Sequence, residues 1–180
     1  MPRVHFVKSA RPAKNPSVIS RREAAGIEVG DSYYWWTFFK APPTFSKTRP
    51  RASQLTRSKW STVYSAQEAI EDVTDASGLQ AALESAVDDL GTVRDEYNES
   101  ADAIEENFEG SLTAEACREK ADHLDTLISE LEDKTSEVEE LVECQTCSGE
   151  GTVECTDCPD ADAFENVHQE LQGLDWAMPC

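Results

Sequence analysis

The stretch CQTCSGEGTVECTDC carries the sharpest chemical signal in the sequence, with Cys144, Cys147, Cys155 and Cys158 in a C-x2-C-x7-C-x2-C arrangement. Each C-x2-C turn can present two thiolates to one ion, and two such turns complete a tetrahedral zinc site with metal–sulfur distances of about 2.3 Å. Gly149 and Gly151 let the chain turn tightly after the first pair, so that the second pair is brought across. A dithiol redox pair and disulfides are the competing uses of the same residues. A cytoplasmic chain disfavours stable disulfides, and Glu143, Glu150 and Glu154 discourage thiolate formation without a metal. Four cysteines also close the coordination shell, where a catalytic zinc keeps a position open. The expected cofactor is therefore one structural zinc, contributing on the order of 10 kcal/mol to folding its module.

A second group of residues points to binding rather than bond chemistry. The segment GDSYYWWTFF, residues 30 to 39, puts six aromatic rings into seven positions. In an extended strand Tyr34, Trp36 and Phe38 face one side, and Tyr33, Trp35 and Phe39 the other. Around it, residues 1 to 60 hold 12 Lys/Arg against 3 Asp/Glu, a net charge of +9, whereas residues 61 to 180 hold 4 against 33, a net −29. Cations bind phosphates and interleaved rings stack on bases, which is the logic of single-strand recognition. The candidate contact residues are Arg21, Arg22, Tyr33, Trp35, Lys40, Lys47, Arg49, Arg51 and Arg57. A zinc with four thiolates adds negative charge, so the cysteine segment is not itself a grip for nucleic acid. A salt-adapted host would also explain the acidity, but would not leave the first third basic.

The elements that must carry these groups are readable from periodicity. Val4 to Lys8 alternates as a strand, RPAKNPS reads as a loop, and SRREAAG as one short helical turn closed by Gly26. The aromatic strand turns through Lys40 to Pro43 into a return strand, TFSKT, giving a small antiparallel sheet. One face needs a cover, expected from a helix carrying Trp60, Val63, Tyr64, Ile70 and Val73, capped at Thr56 or Ser65 and ended by Ser77 and Gly78. From Leu79 a seam of apolar or small residues runs Leu83, Ala86, Leu90, Val93, Tyr97, Ala101, Ile104, Phe108. After EGSLT a second seam runs Cys117, Ala121, Leu124, Ile128, Leu131, Thr135, Val138, Val142. Two matched seams predict an antiparallel helical hairpin, coiled-coil-like. In that hairpin Cys117 is expected as a small buried residue and His123 as a solvated one. Phe164, Val167, Leu171 and Leu174 define a short final helix with His168 on its face. The fold class expected is α+β, with modules at 1–60 (basic aromatic β module), 61–78 (connecting helix), 79–142 (acidic hairpin) and 143–180 (zinc knuckle and C-terminal helix).

The cysteine stretch resembles the cysteine-rich zinc domain of DnaJ-type chaperones, whose C-x-x-C-x-G-x-G repeat is matched by Cys144, Cys147, Gly149 and Gly151, with Cys155 and Cys158 matching a second repeat. Two repeats in place of four imply one zinc, and no J-domain HPD motif occurs, so the resemblance implies a metal knuckle and not co-chaperone activity. The layout of strand, turn, FSKT and helix is loosely similar to the small DNA-binding modules of tyrosine integrases. GDSYYWW, Ser46 to Thr48, Pro50 and Ser53 to Thr56 resemble a group of uncharacterised proteins of phages, plasmids and bacteria, which implies an accessory role in a mobile element.

The sequence shows no nucleophile and base pair, phosphate loop or open metal constellation, so no enzyme is expected. It has no apolar run long enough for a membrane span and no signal-peptide stretch at its N-terminus, which predicts a cytoplasmic protein without membrane contact. The leading expectation is a zinc-stabilised nucleic-acid or ribonucleoprotein-binding protein working through residues 1 to 60. The alternative is an acidic interaction factor, in which the hairpin engages a basic protein partner, mimics nucleic acid, or dimerises.

Overall fold

Asn15 and Pro16 begin a helix where the sequence suggested only a loop. In the computed structural model, which describes residues 2–142 and 163–179, α1 spans Pro16–Ala24, with the Asn15 side chain accepting the Ser17 amide at 2.9 Å and Pro16 in the first turn. Asn as cap followed by Pro satisfies or removes the amides that a helix start leaves unpaired. Gly26, at φ +67, ends the helix, and the Ile27 amide returns to the Arg22 carbonyl at 2.8 Å. That return turns Ile27 inward, where it is buried. The expected single turn at SRREAAG is thus the second half of a longer helix. None of its residues is buried, so periodicity could not reveal it.

The chain forms two compact units, Met1–Ser61 and Thr62–Cys180. The first holds a three-stranded antiparallel sheet, β1 His5–Val7, β2 Tyr33–Trp36 and β3 Thr44–Ser46, with β2 in the centre. The register pairs Phe6 with Tyr34 and Val7 with Tyr33 on one side, and Tyr34 with Ser46 and Trp35 with Phe45 on the other. Period-two alternation then sorts His5, Val7, Tyr33, Trp35 and Phe45 to one face, and Phe6, Tyr34, Trp36, Thr44 and Ser46 to the other. On the first face Ala10, Ile27 and Tyr33 form a small core with Val7, Ala25, Trp35 and Phe45 packed around it. The aromatic strand is shorter than expected. It stops at Trp36 because Thr37 Oγ1 bonds the Ala41 carbonyl and Lys40 takes φ 49, so Phe38 and Phe39 sit in the turn and have no sheet face.

In the second unit the hairpin forms as expected. Helix α2, Trp60–Glu71, starts at the junction of the units and buries Val63, Ala66 and Ile70. Thr56 caps the turn before it, accepting the Ser58 amide at 3.2 Å, rather than the helix itself. Asp75 accepts the Gly78 amide at 2.8 Å and caps α3, Ala76–Glu105, so Ser77 and Gly78 open this helix instead of closing the previous one. Helix α4 spans Leu112–Val142 and packs along α3. Arg94 reaches Asp125, and Arg118 reaches Asp102 and Glu105, which fixes the two helices as antiparallel. Leu79, Leu83, Ala86, Leu90, Val93 and Ala101 are buried from the first seam, and Ala121, Leu124, Ile128, Leu131 and Val138 from the second. Five of the described seam positions differ. Phe108 lies beyond the end of α3 and is 71% exposed, and Tyr97, Ile104, Cys117 and Thr135 are only half-buried.

Helix α5, Ala163–Gln172, lies against α4. Lys134 bonds Glu170, and His123 Nε2 lies 3.0 Å from the Asp175 carbonyl, so α5 and its tail run antiparallel to α4. His123 therefore ties the tail down and is not the solvated residue expected. His168 Nε2 lies 3.0 Å from the Ile70 carbonyl, joining α5 to the end of α2. Trp176 is buried, its indole N–H donating to the Leu171 carbonyl.

Candidate nucleic-acid interface

The cations of the first unit fall into two groups once their partners are known. Arg21, Lys40, Lys47, Arg49, Arg51 and Arg57 have exposed side chains. Lys47 is drawn to Asp31 at 2.9 Å, and Arg21 donates to the Pro43 carbonyl at 3.4 Å. The bond from Lys47, with a second from the Glu28 amide, holds the Asp31 carboxyl below its usual value. Arg57 lies over the Phe38 ring at 4.6 Å and Lys40 over Phe39 at 5.2 Å, and Phe39 is 89% exposed. These two pairs give the turn of the hairpin a surface of rings and charges.

Arg22 belongs to the other group. Its guanidinium sits 4.7 Å from the Tyr33 ring centre and 5.6 Å from that of Phe45, donates to the Arg11 carbonyl at 2.9 Å, and bonds the Tyr33 hydroxyl. Tyr33 is buried in the small core, so it offers no ring for a base to stack on. Trp35 is half-buried and stacked on His5, with centroids 4.2 Å apart and planes 10° from parallel. The two rings expected to stack on a ligand therefore hold the sheet to its cover instead, because α1 and Ile27 close over that face.

The opposite face provides the rings that the sequence did not single out. Phe6 is 58% exposed and lies beside Tyr34, centroids 5.0 Å apart and planes tilted by 44°. The alternation of VHFVK puts Phe6 out of phase with Val7, and the sheet register then sets it opposite Tyr34.

The four cysteines expected to bind zinc, Cys144, Cys147, Cys155 and Cys158, lie outside the described residues. Their donor set of two thiol pairs fits tetrahedral zinc. Among the described residues no group of three or more His, Cys, Asp or Glu is gathered as for a metal, and no helix is long and apolar enough to cross a membrane. Comparison with protein-family models, with characterised proteins and with solved structures finds no match to this chain.

Proposed function

We propose that the protein is a non-enzymatic nucleic-acid or ribonucleoprotein-binding factor. Its first unit makes the contact, and one structural zinc is held by Cys144, Cys147, Cys155 and Cys158. The observation that carries the proposal is the Phe6–Tyr34 pair, with Phe6 58% exposed and Tyr34 half-buried beside a buried Trp36, in a unit with net charge +9. An accessible ring takes a base by stacking, worth about 1–3 kcal/mol per base. Lys40, Arg49 and Arg57 are exposed in the same unit and supply the cations this reading needs for a phosphate backbone. The resemblance of GDSYYWW and its continuation to proteins of mobile elements supports an accessory role of this kind.

The test is a titration of the full-length protein with single-stranded DNA, single-stranded RNA and duplex DNA at several salt concentrations. If four cations engage phosphates, log K falls with log salt with a slope of about −3 for a single strand. Phe6→Ala and Tyr34→Ala each weaken single-strand binding by about 5- to 150-fold, the range that loss of one stacked base implies. Failure of all three polymers to bind at low salt refutes the proposal.

A second reading has its own observation. Three of the four cations of the acidic unit are each shared between two carboxylates: Arg94 with Asp95 and Asp125, Arg118 with Asp102 and Glu105, Lys134 with Glu137 and Glu170. The remaining carboxylates keep their field, which favours a basic protein surface as partner of the hairpin. Absence of nucleic-acid binding together with capture of a basic protein would make this the leading function.

A further inference from the structure

Where β1 ends, the chain lines an open pocket of about 480 Å³ with Val7, Lys8, Ser9, Arg11, Arg22 and Tyr33. Three of these six are cations, two carry hydroxyls, and none is a carboxylate. Among the described residues no ion pair involves Lys8, Arg11 or Arg22. The carboxylates of Glu23 and Glu28 line the adjoining depression along α1, which Arg11 and Arg22 also border without forming an ion pair to either. The C-terminal end of α1 supplies only a partial negative charge, about half a unit, against three full positive ones.

Arg22 is the unusual member. It is half-buried, and its charge is held against the Tyr33 and Phe45 rings with no counter-ion. Its Nε atom is buried with no hydrogen-bond acceptor. The Arg11 carbonyl and the Tyr33 hydroxyl fix the guanidinium at its ends, so the group is positioned before any ligand arrives. Taking a cation partly out of water without an anion is costly, and an oxyanion brought to the site offsets that cost. Arginine with a second cation beside hydroxyl donors is the donor set that suits phosphate oxygens.

We propose that this pocket is a binding site for a phosphate group, with Lys8 and Arg11 as its movable arms and Arg22 as its fixed base. The shared chemistry admits two sources, free inorganic phosphate or the terminal phosphate of a nucleic-acid strand. The site lies on the α1-covered side of the sheet, and its chemistry does not depend on the Phe6–Tyr34 face.

The experiment uses the full-length protein and follows the side-chain Nε–Hε resonance of Arg22 by NMR, assigned by its loss in Arg22→Lys. Inorganic phosphate is titrated against chloride at constant ionic strength. A saturable shift with phosphate and none with chloride is expected. In the Lys8→Gln, Arg11→Gln double variant, whose two side chains are exposed, the apparent affinity falls by about tenfold or more. A 5′-phosphorylated single strand is then compared with its 5′-hydroxyl counterpart. A shift with the phosphorylated strand and not the hydroxyl one assigns the site to strand ends; a shift with inorganic phosphate alone assigns it to the free anion. No saturable shift with either phosphate, or an affinity unchanged in the double variant, overturns the proposal. Loss of polymer binding in Phe6→Ala leaves these readouts untouched, so the two proposals fail separately.

Discussion

Leu127 and Phe108 form a paired test of how the acidic unit is built. The heptad seam passes through Phe108 and omits Leu127, yet Leu127 is 2% exposed and Phe108 71% exposed. Leu127 lies four residues after His123 and seven before Lys134, so helical spacing sets all three on one stripe of α4. The contacts of His123 with Asp175 and of Lys134 with Glu170 show what covers that stripe, namely α5 and its tail. Truncating a buried leucine to alanine costs about 2–5 kcal/mol, since the cavity left behind adds to the lost transfer energy. With a urea dependence of about 2 kcal/mol per molar, the Leu127→Ala midpoint falls by about 1–2.5 M. Phe108→Ala changes stability by no more than about 0.5 kcal/mol. Far-UV circular dichroism in urea at fixed ionic strength reads both values. If Phe108→Ala costs as much as Leu127→Ala, the seam alone governs the hairpin and the placement of α5 on that stripe is refuted.

Other consequences are open to direct measurement. Tyr97 is held above its ordinary pKa, first by burial and then by the negative charge of Cys117 and Glu96. A raised phenol favours the neutral form in the fold, so its contribution to stability is present below about pH 10 and is lost as pH rises through the folded value. Absorbance near 295 nm then shows one late-titrating tyrosine that disappears in Tyr97→Phe. Zinc analysis returns one metal per chain, and Cys144→Ser, Cys147→Ser together bring it to zero; retention of metal in that variant rules out the assigned ligands. Added salt raises the thermal midpoint of the acidic unit from its low-salt value, because screening relieves repulsion among 33 carboxylates more than it weakens the exposed ion pairs. A midpoint that falls with salt contradicts this.

The hairpin was legible in the sequence because Leu83, Leu90, Leu124 and Leu131 repeat at helical spacing and each is fully buried. The alternation that assigns Tyr33 and Trp35 to one face and Tyr34 and Trp36 to the other was equally plain. Helix α1 was not, since its residues are exposed and only Asn15 and Pro16 mark its start. The boundary at Ser77 and Gly78 was misplaced because small residues suit the end of one helix and the first turn of the next, and only the Asp75 cap separates the two cases. Contacts such as His123 with Asp175, 52 residues apart, leave no local trace. The candidate ring pair shifted from Tyr33 and Trp35 to Phe6 and Tyr34 for a similar reason. Which rings α1 covers depends on where that helix lands, and that is a tertiary fact.

Because α5 runs antiparallel along α4, residue 142 and residue 163 lie at the same end of that helix pair. From the Lys134–Glu170 bond the two helices continue toward that end for about 12 Å and 10 Å. Residues 142 and 163 are thus two anchor points fixed by the helices. Closing a chain already held at its ends depends weakly on length, with a doubling costing about 0.6 kcal/mol. Shortened, lengthened or exchanged segments can therefore be grafted between α4 and α5 with little effect on the hairpin.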